Sequence, residues 1–107
     1  MRIFRLSQED KYTISPHYST AHGETVKGAK TELGHYTYPK DTGATPHQHP
    51  QEQIIIVLSG KMRVTAEGQE VEVGPGDAIL VPPNAEHATY AIEQTTIFSF
   101  KDIISDA

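Results

Sequence analysis

The 107-residue chain contains no cysteine. That absence excludes disulfides, thiolate metal sites and cysteine nucleophiles, and it is compatible with a reducing compartment, so a cytoplasmic location is expected. Basic charge is also scarce: nine Lys and Arg stand against fourteen Asp and Glu, a net charge of −5. A protein that binds nucleic acid by neutralising phosphates would show the opposite balance, so no nucleic-acid partner is expected. Long apolar runs are missing too. The longest, Ile54 to Leu58, is far too short to cross a bilayer, and no membrane partner is expected. The opening stretch MRIFRLSQEDK carries charges inside its first apolar segment and does not read as a signal peptide. No stretch offers a three-turn amphipathic helix; only Lys101 to Ala107 has the pattern for one short turn, packed through Ile103 and Ile104.

The sequence does hold the makings of a globular β-domain, with 36% hydrophobic residues, 21% charged residues, 8 Gly and 7 Pro. A chain of this length closes one core, so a single domain over 1–107 is expected, its centre at about 31–100 and an N-terminal strand or loop before it. Thr31–Tyr38 reads as a strand. Ile54-Ile55-Ile56-Val57-Leu58 has no polar face, which suits a strand buried on both sides. Met62, Val64 and Ala66 alternate with Arg63 and Thr65, and Glu67-Gly68 supplies a two-residue hairpin connection to Val71 and Val73. After the turn Gly74-Pro75-Gly76-Asp77, strands are expected at Ala78–Val81, Glu86–Ile92 and Thr95–Phe100. Residues 15–30 are polar and turn-rich, a loop or a loosely held edge. Short strands separated by Gly/Pro turns predict an all-β antiparallel sandwich or barrel.

Six histidines in so small a chain point to chemistry. In Pro46-His47-Gln48-His49-Pro50-Gln51-Glu52-Gln53, His47 and His49 are two apart, so on an extended chain both imidazoles leave one face and can share a metal ion. Gln53 has the same parity and offers an oxygen as a third donor, whereas Glu52 has the opposite parity and should face outward unless a bulge swings it in. His87, after Pro82-Pro83-Asn84, is the natural donor from a neighbouring strand. Imidazole nitrogens with one oxygen suit iron, manganese, cobalt, nickel or zinc. The same spacing also fits paired surface histidines, and Gln53 as a hydrogen-bonding wall residue would leave a three-histidine site.

These residues resemble the two sequence motifs of the cupins. Gly43, His47, His49, Gln53 and Gly60 fall in the places of the first motif, with Gly43 two residues closer to His47 than usual and Gln in place of the usual Glu. Gly76, Pro82, His87 and Ala91 fall in the second, with Asn84 where a glycine is usual; Asn tolerates the left-handed backbone region almost as well. The resemblance implies a double-stranded β-helix (cupin, or jelly-roll, barrel) and one divalent transition metal ion (Fe, Mn, Ni or Zn) held by His47, His49, Gln53 and His87. It also favours a homodimer.

Other features bear on what the pocket binds. Three neutral imidazoles and a neutral amide leave the ion's charge uncompensated, which favours an anionic small-molecule ligand. Tyr36 and Tyr38 share one strand face and His35 the other; all three are pocket candidates, the phenols as proton donors or simply as packing. Phe98 and Phe100 are expected in the core or pocket wall, and His17 and His22 are assigned no role. If Gln53, Ile55 and Val57 face inward, then Ile54, Ile56 and Leu58 need cover, either from a partner subunit or from the chain's own Ile3, Phe4 and Leu6. The string HQHPQEQ, with LSG and PPNAEH after it, is similar to small cupins that convert unsaturated uronates to linear keto sugars; in those an Asp and an Arg lie on the last strand, where this chain has Lys101 and Asp102. Three-histidine cupins with Fe(II) include dioxygenases. A metal-dependent enzyme of isomerase, ring-opening or dioxygenase type is therefore expected, and a non-catalytic binder of a small sugar or organic acid is the alternative.

Overall fold

Alternation of apolar and polar residues becomes nine strands in the structure, a computed structural model that describes residues 1–6 and 18–104. They are β1 (His22–Lys27), β2 (Thr31–Tyr38), β3 (Gly43–His47), β4 (Gln53–Ser59), β5 (Met62–Ala66), β6 (Gln69–Val73), β7 (Ala78–Val81), β8 (His87–Ala91) and β9 (Thr95–Asp102). Every strand pair is antiparallel, in a five-stranded sheet of order β1-β2-β9-β4-β7 and a four-stranded sheet of order β3-β8-β5-β6. From β2 onward the chain crosses from one sheet to the other at each connection except the β5–β6 hairpin. That winding makes the expected double-stranded β-helix. Among the described residues no helix is long and apolar enough to cross a membrane.

Turn chemistry fixes the registers. Glu67 and Gly68 both have positive φ, 51° and 75°, which matches the twist of the hairpin they connect. Gly60 has φ 91°, and a Cβ there would lie 2.2 Å from the Gln94 carbonyl oxygen, so both backbone shape and space demand glycine. Asn84, at φ 64°, takes the left-handed conformation that its place in the motif requires. Asp77 accepts a hydrogen bond at 2.8 Å from the Gly74 amide and closes the turn before β7.

The core lies between the sheets. Ile55, Val57 and Ile97 from one sheet meet Met62, Val64, Val73 and Ala91 from the other, all buried. Along β4, β8 and β9 the inward residues change character. Val57, Ala91 and Ile97 close one end of the barrel, while Gln53, His87 and Lys101 open the other.

Within 15–30, residues 22–27 take the edge alternative, as a strand paired to β2. Several other expectations are corrected. β3 is a further short strand whose bulge and proline hide its alternation. Ile54–Leu58 is buried on one face only: Ile55 and Val57 are interior, but Ile54 is 42% and Leu58 38% exposed. Leu80 in β7 (58%) and Phe100 in β9 (42%) join them on the outer face, so Phe98 and Phe100 are not core. The apolar content of these strands records two apolar faces, one in the barrel and one outside it. Residues 1–6 form no strand, and Ile3 and Phe4 are exposed rather than covering that face. β9 continues to Asp102, and Ile103 and Ile104 form no helical turn; 105–107 lie outside the described residues, as does His17.

Gly60→Ala is expected to cost about 1–3 kcal/mol, read as a lower urea midpoint with an unchanged m-value. An unaltered midpoint would show that the strained position tolerates a side chain.

Candidate metal centre

Antiparallel pairing of β3 with β8 sets His47 directly opposite His87. His49 follows β3 outside any strand. Its carbonyl accepts the Asn84 amide at 2.8 Å, which ties the first histidine segment to the loop that carries the second. The three rings converge, with centroids 4.2 Å apart for His47 and His87, 4.9 Å for His49 and His87, and 5.8 Å for His47 and His49. One ligand atom from each lies within 4.8 Å of the other two, so this cluster could hold a metal ion.

Local hydrogen bonds decide which nitrogen faces the cavity. His47 Nδ1 lies 2.7 Å from the Thr45 carbonyl, His49 Nδ1 3.1 Å from that of Gln51, and His87 Nδ1 2.9 Å from that of Ala85. A carbonyl oxygen only accepts, so Nδ1 carries the proton in all three, and each neutral ring leaves Nε2 with a free lone pair. A carbonyl bond on the far nitrogen is what fixes the ring orientation of a ligating histidine.

Gln53 enters from β4, on the other sheet, after the chain turns at Pro50 and Gln51. Its Nε2 donates to Ser99 Oγ at 2.8 Å, which leaves Oε1 to face the cavity. Gln53 Oε1 and His49 Nε2 are both buried without a hydrogen-bond partner among the described residues. Two acceptor atoms left dry beside one another are costly, and a shared cation satisfies both. The donor set of three imidazole nitrogens and an amide oxygen fits a divalent transition ion.

Burial lowers the His87 pKa to about 4, the backbone bond to Ala85 opposing and the charges of His47, His49 and Lys101 adding to the fall. His49 is lowered as well, first by burial and next by the charge of Lys101. Both rings are thus held neutral, the form that binds a metal.

The cavity encloses about 40 Å³ and opens to solvent at its mouth, and Ala44, Ile55 and Ile97 form part of its wall. Tyr36 and Tyr38 both line it. The Tyr36 hydroxyl pairs with Thr25 Oγ1 at 2.7 Å. Tyr38 is buried and its pKa is raised by that burial, against hydrogen bonds from Thr89 and Ser19, so the phenol keeps its proton. His35 is buried on the opposite face of β2, tilted against Phe98 at 5.3 Å, and does not line the cavity. Glu52 faces outward and its amide donates to Asp102 Oδ1 at 2.9 Å, so Asp102 also stays outside. Lys101 does line the cavity.

Tyr18 is a residue that sequence reasoning missed: it stacks on His47 with centroids 4.1 Å apart. It lies in the stretch read as loop. A single bridge between Ser19 and Ala44, with the Thr45 amide on the Tyr18 carbonyl at 2.7 Å, brings it to the site, and nothing in the sequence signals that contact.

The barrel, the two histidine segments and their spacing define a cupin. Residues 34–101 match the Cupin_2 family, described as the cupin domain, and the chain belongs to that family. An uncharacterised protein of Methanocaldococcus jannaschii is 31% identical over 67 residues, 62% of this chain and 54% of that protein. The chain therefore spans about half the length of that relative. Among solved structures, KdgF from Halomonas sp. aligns with a TM-score of 0.75 and 22% identity, over 90% of this chain and 97% of that one. An RmlC-like cupin family protein with a double-stranded β-helix fold, from Methanocaldococcus jannaschii, aligns with a TM-score of 0.74 and 17% identity, over 95% of this chain and 90% of that one. Both likenesses bear on the fold.

The lowered histidines give stability a pH dependence of definite sign. Unfolded, His87 protonates near the ordinary 6.5; folded, it resists until about 4. Between these values the unfolded chain binds more protons, so stability is full above the upper value and falls as pH drops through the window. Urea midpoints of the metal-free protein are expected to decline from pH 6.5 to 4, and less steeply for His87→Gln. A wild-type midpoint flat across that range would count against a neutral buried ring.

Proposed function

We propose that this cupin is a metal-dependent enzyme acting on a small anionic or carbonyl compound, with His47, His49, His87 and Gln53 holding one divalent ion of iron, manganese, nickel or zinc. The observation that carries the proposal is the pair of dry acceptors, His49 Nε2 and Gln53 Oε1, inside a three-histidine cluster that opens to a cavity. When bound, the ion would supply Lewis acidity toward an oxygen of the ligand. The chain's own groups do the rest. The Thr45, Gln51 and Ala85 carbonyls fix the imidazoles, Tyr18 covers His47, and the Tyr38 phenol retains a proton beside the cavity.

Within that class, the likeness of HQHPQEQ to uronate-converting cupins supports a sugar-acid isomerase or ring-opening reaction; an Fe(II) dioxygenase is the other enzymatic form. A second reading, non-catalytic binding of a sugar or organic acid, is favoured by one observation: among the described residues no carboxylate lines the cavity to act as a general base. The absence of cysteine accords with action in the cytoplasm.

Elemental analysis of untagged protein beside His87→Ala tests the centre. Stoichiometric metal in wild type, with most of it lost in the variant, is expected. Metal retained in the variant, or absent from wild type after reconstitution, would sink the proposal. Turnover of unsaturated uronates, or oxygen uptake by the Fe(II)-loaded protein, then separates the enzymatic forms from the binder.

We also propose a homodimer in which the outer face of the five-stranded sheet meets its copy. Ile54, Leu58, Leu80 and Phe100 are exposed on that one face, whereas the four-stranded sheet exposes Val71 and Tyr90 beside ion pairs, Arg63 with Glu70 at 3.3 Å and Lys61 with Glu72 at 3.4 Å. A self-complementary apolar face is what a two-fold interface uses. Sedimentation should give a dimer for wild type and a monomer for Ile54→Lys combined with Leu80→Lys. A monomeric wild type would refute it.

A further inference from the structure

Among the described residues that line the cavity there is no Asp or Glu, although the chain carries a net charge of −5. Two described carboxylates next in sequence to lining residues face away: Glu52 and Asp102 line a separate groove on the outer face, and Asp102 is engaged by the Glu52 amide. One lysine does line the cavity. Alternation along β9 turns Ile97, Ser99 and Lys101 inward, and register places Lys101 directly opposite Gln53. Cross-strand partners on one face are neighbours. Lys101 therefore stands beside the amide whose oxygen is one of the dry acceptors, at a rim shared with the outer groove. Among the described residues no ion pair takes up its ammonium group.

An ammonium on a flexible stem is a compact point charge that pairs with one oxygen of a carboxylate without demanding the planar fork that arginine does. Resting on the metal-centre reading, we infer that Lys101 is the specificity-determining residue of the cavity, binding the carboxylate of a small ligand whose adjacent oxygen faces the histidine cluster. The ligand class is a carboxylate with a neighbouring carbonyl or hydroxyl oxygen: a 2-oxo acid, a 2-hydroxy acid or a uronate. The charge arithmetic selects it. A dipositive ion with four neutral ligands, joined by one ammonium, leaves the cavity strongly positive until an anion enters.

The test uses the Zn(II)-loaded protein, which is redox-silent, and reads binding by calorimetry. The probes are pyruvate, oxalate and galacturonate, set against the neutral methyl pyruvate and galactose. Lys101→Met keeps the aliphatic stem, Lys101→Arg keeps the charge, and Lys101→Gln serves as a second neutral variant; metal content and thermal midpoint are measured on each. All four proteins should hold equal zinc. The two neutral variants should bind the carboxylates about tenfold to a hundredfold more weakly, Lys101→Arg should stay within a few-fold of wild type, and affinity for the neutral probes should not change. Carboxylate affinity unchanged in Lys101→Met and Lys101→Gln overturns the inference while leaving the metal centre intact. So does a zinc-loaded wild type that binds none of the carboxylates, or binds the neutral probes equally well. Zinc absent from wild type, seen before any ligand is added, refutes the functional reading and the inference with it.

Discussion

Each imidazole of the cluster commits one nitrogen to a backbone carbonyl two residues away in sequence: Thr45 for His47, Gln51 for His49, Ala85 for His87. The bonds are local, so the tautomer is set by the shape of three short chain segments and not by distant contacts. Everything else in the barrel serves to hold those segments together. Pairing of β3 with β8 sets His47 across from His87, and the Asn84 amide on the His49 carbonyl adds the third ring. Asn84 makes that bond from a left-handed backbone that most residues resist. The second motif thus helps to place a donor of the first as well as supplying His87.

The same economy governs the strands. In β4, Gln53, Ile55 and Val57 pass from cavity to core in three steps, and in β9 Lys101, Ser99 and Ile97 do the same. A two-residue period lets one strand be polar at its mouth end and apolar at its base without interrupting its hydrogen bonds. The cost of seating polar groups inside a barrel is met by pairing them, Gln53 with Ser99 and Tyr36 with Thr25, so that the two acceptors left over stand out against a satisfied background.

Much of this was legible in the sequence because it is written in local chemistry. Thr31–Tyr38, Met62–Ala66 and Ala78–Val81 begin and end where alternation and turn residues put them, and Glu67-Gly68 makes the turn its composition demands. His47, His49 and His87 meet as spacing and motif implied. What was not legible depends on neighbours. An unbroken apolar run cannot say whether its second face meets the same molecule, and within one chain Ile54, Leu58 and Phe100 stay exposed. β3 is short, bulged and interrupted by Pro46, which erases its period. His35 and Tyr36 are adjacent, and only the sheet's curvature decides which face becomes the cavity. Tyr18 reaches His47 through a single bridge with no sequence pattern of its own.

Gln53 in place of a carboxylate changes what the cavity asks of a ligand. A Glu there would neutralise half of a divalent ion's charge from within the protein; an amide offers only a dipole, and the remaining charge must be balanced by whatever binds. The protein's surplus of negative charge does not supply that balance, because the acids near the mouth are turned to the outer groove. Nor does it repel an anion strongly at range, since screening at physiological salt confines surface fields to about 8 Å. Among the described residues that line the cavity, the groups that can meet a ligand's charge are the three histidines, the Gln53 amide and Lys101. On the proposed reading, selection of an anion would be a local property of the mouth, built on adjacent positions of two paired strands and separable from the acidity of the surface around it.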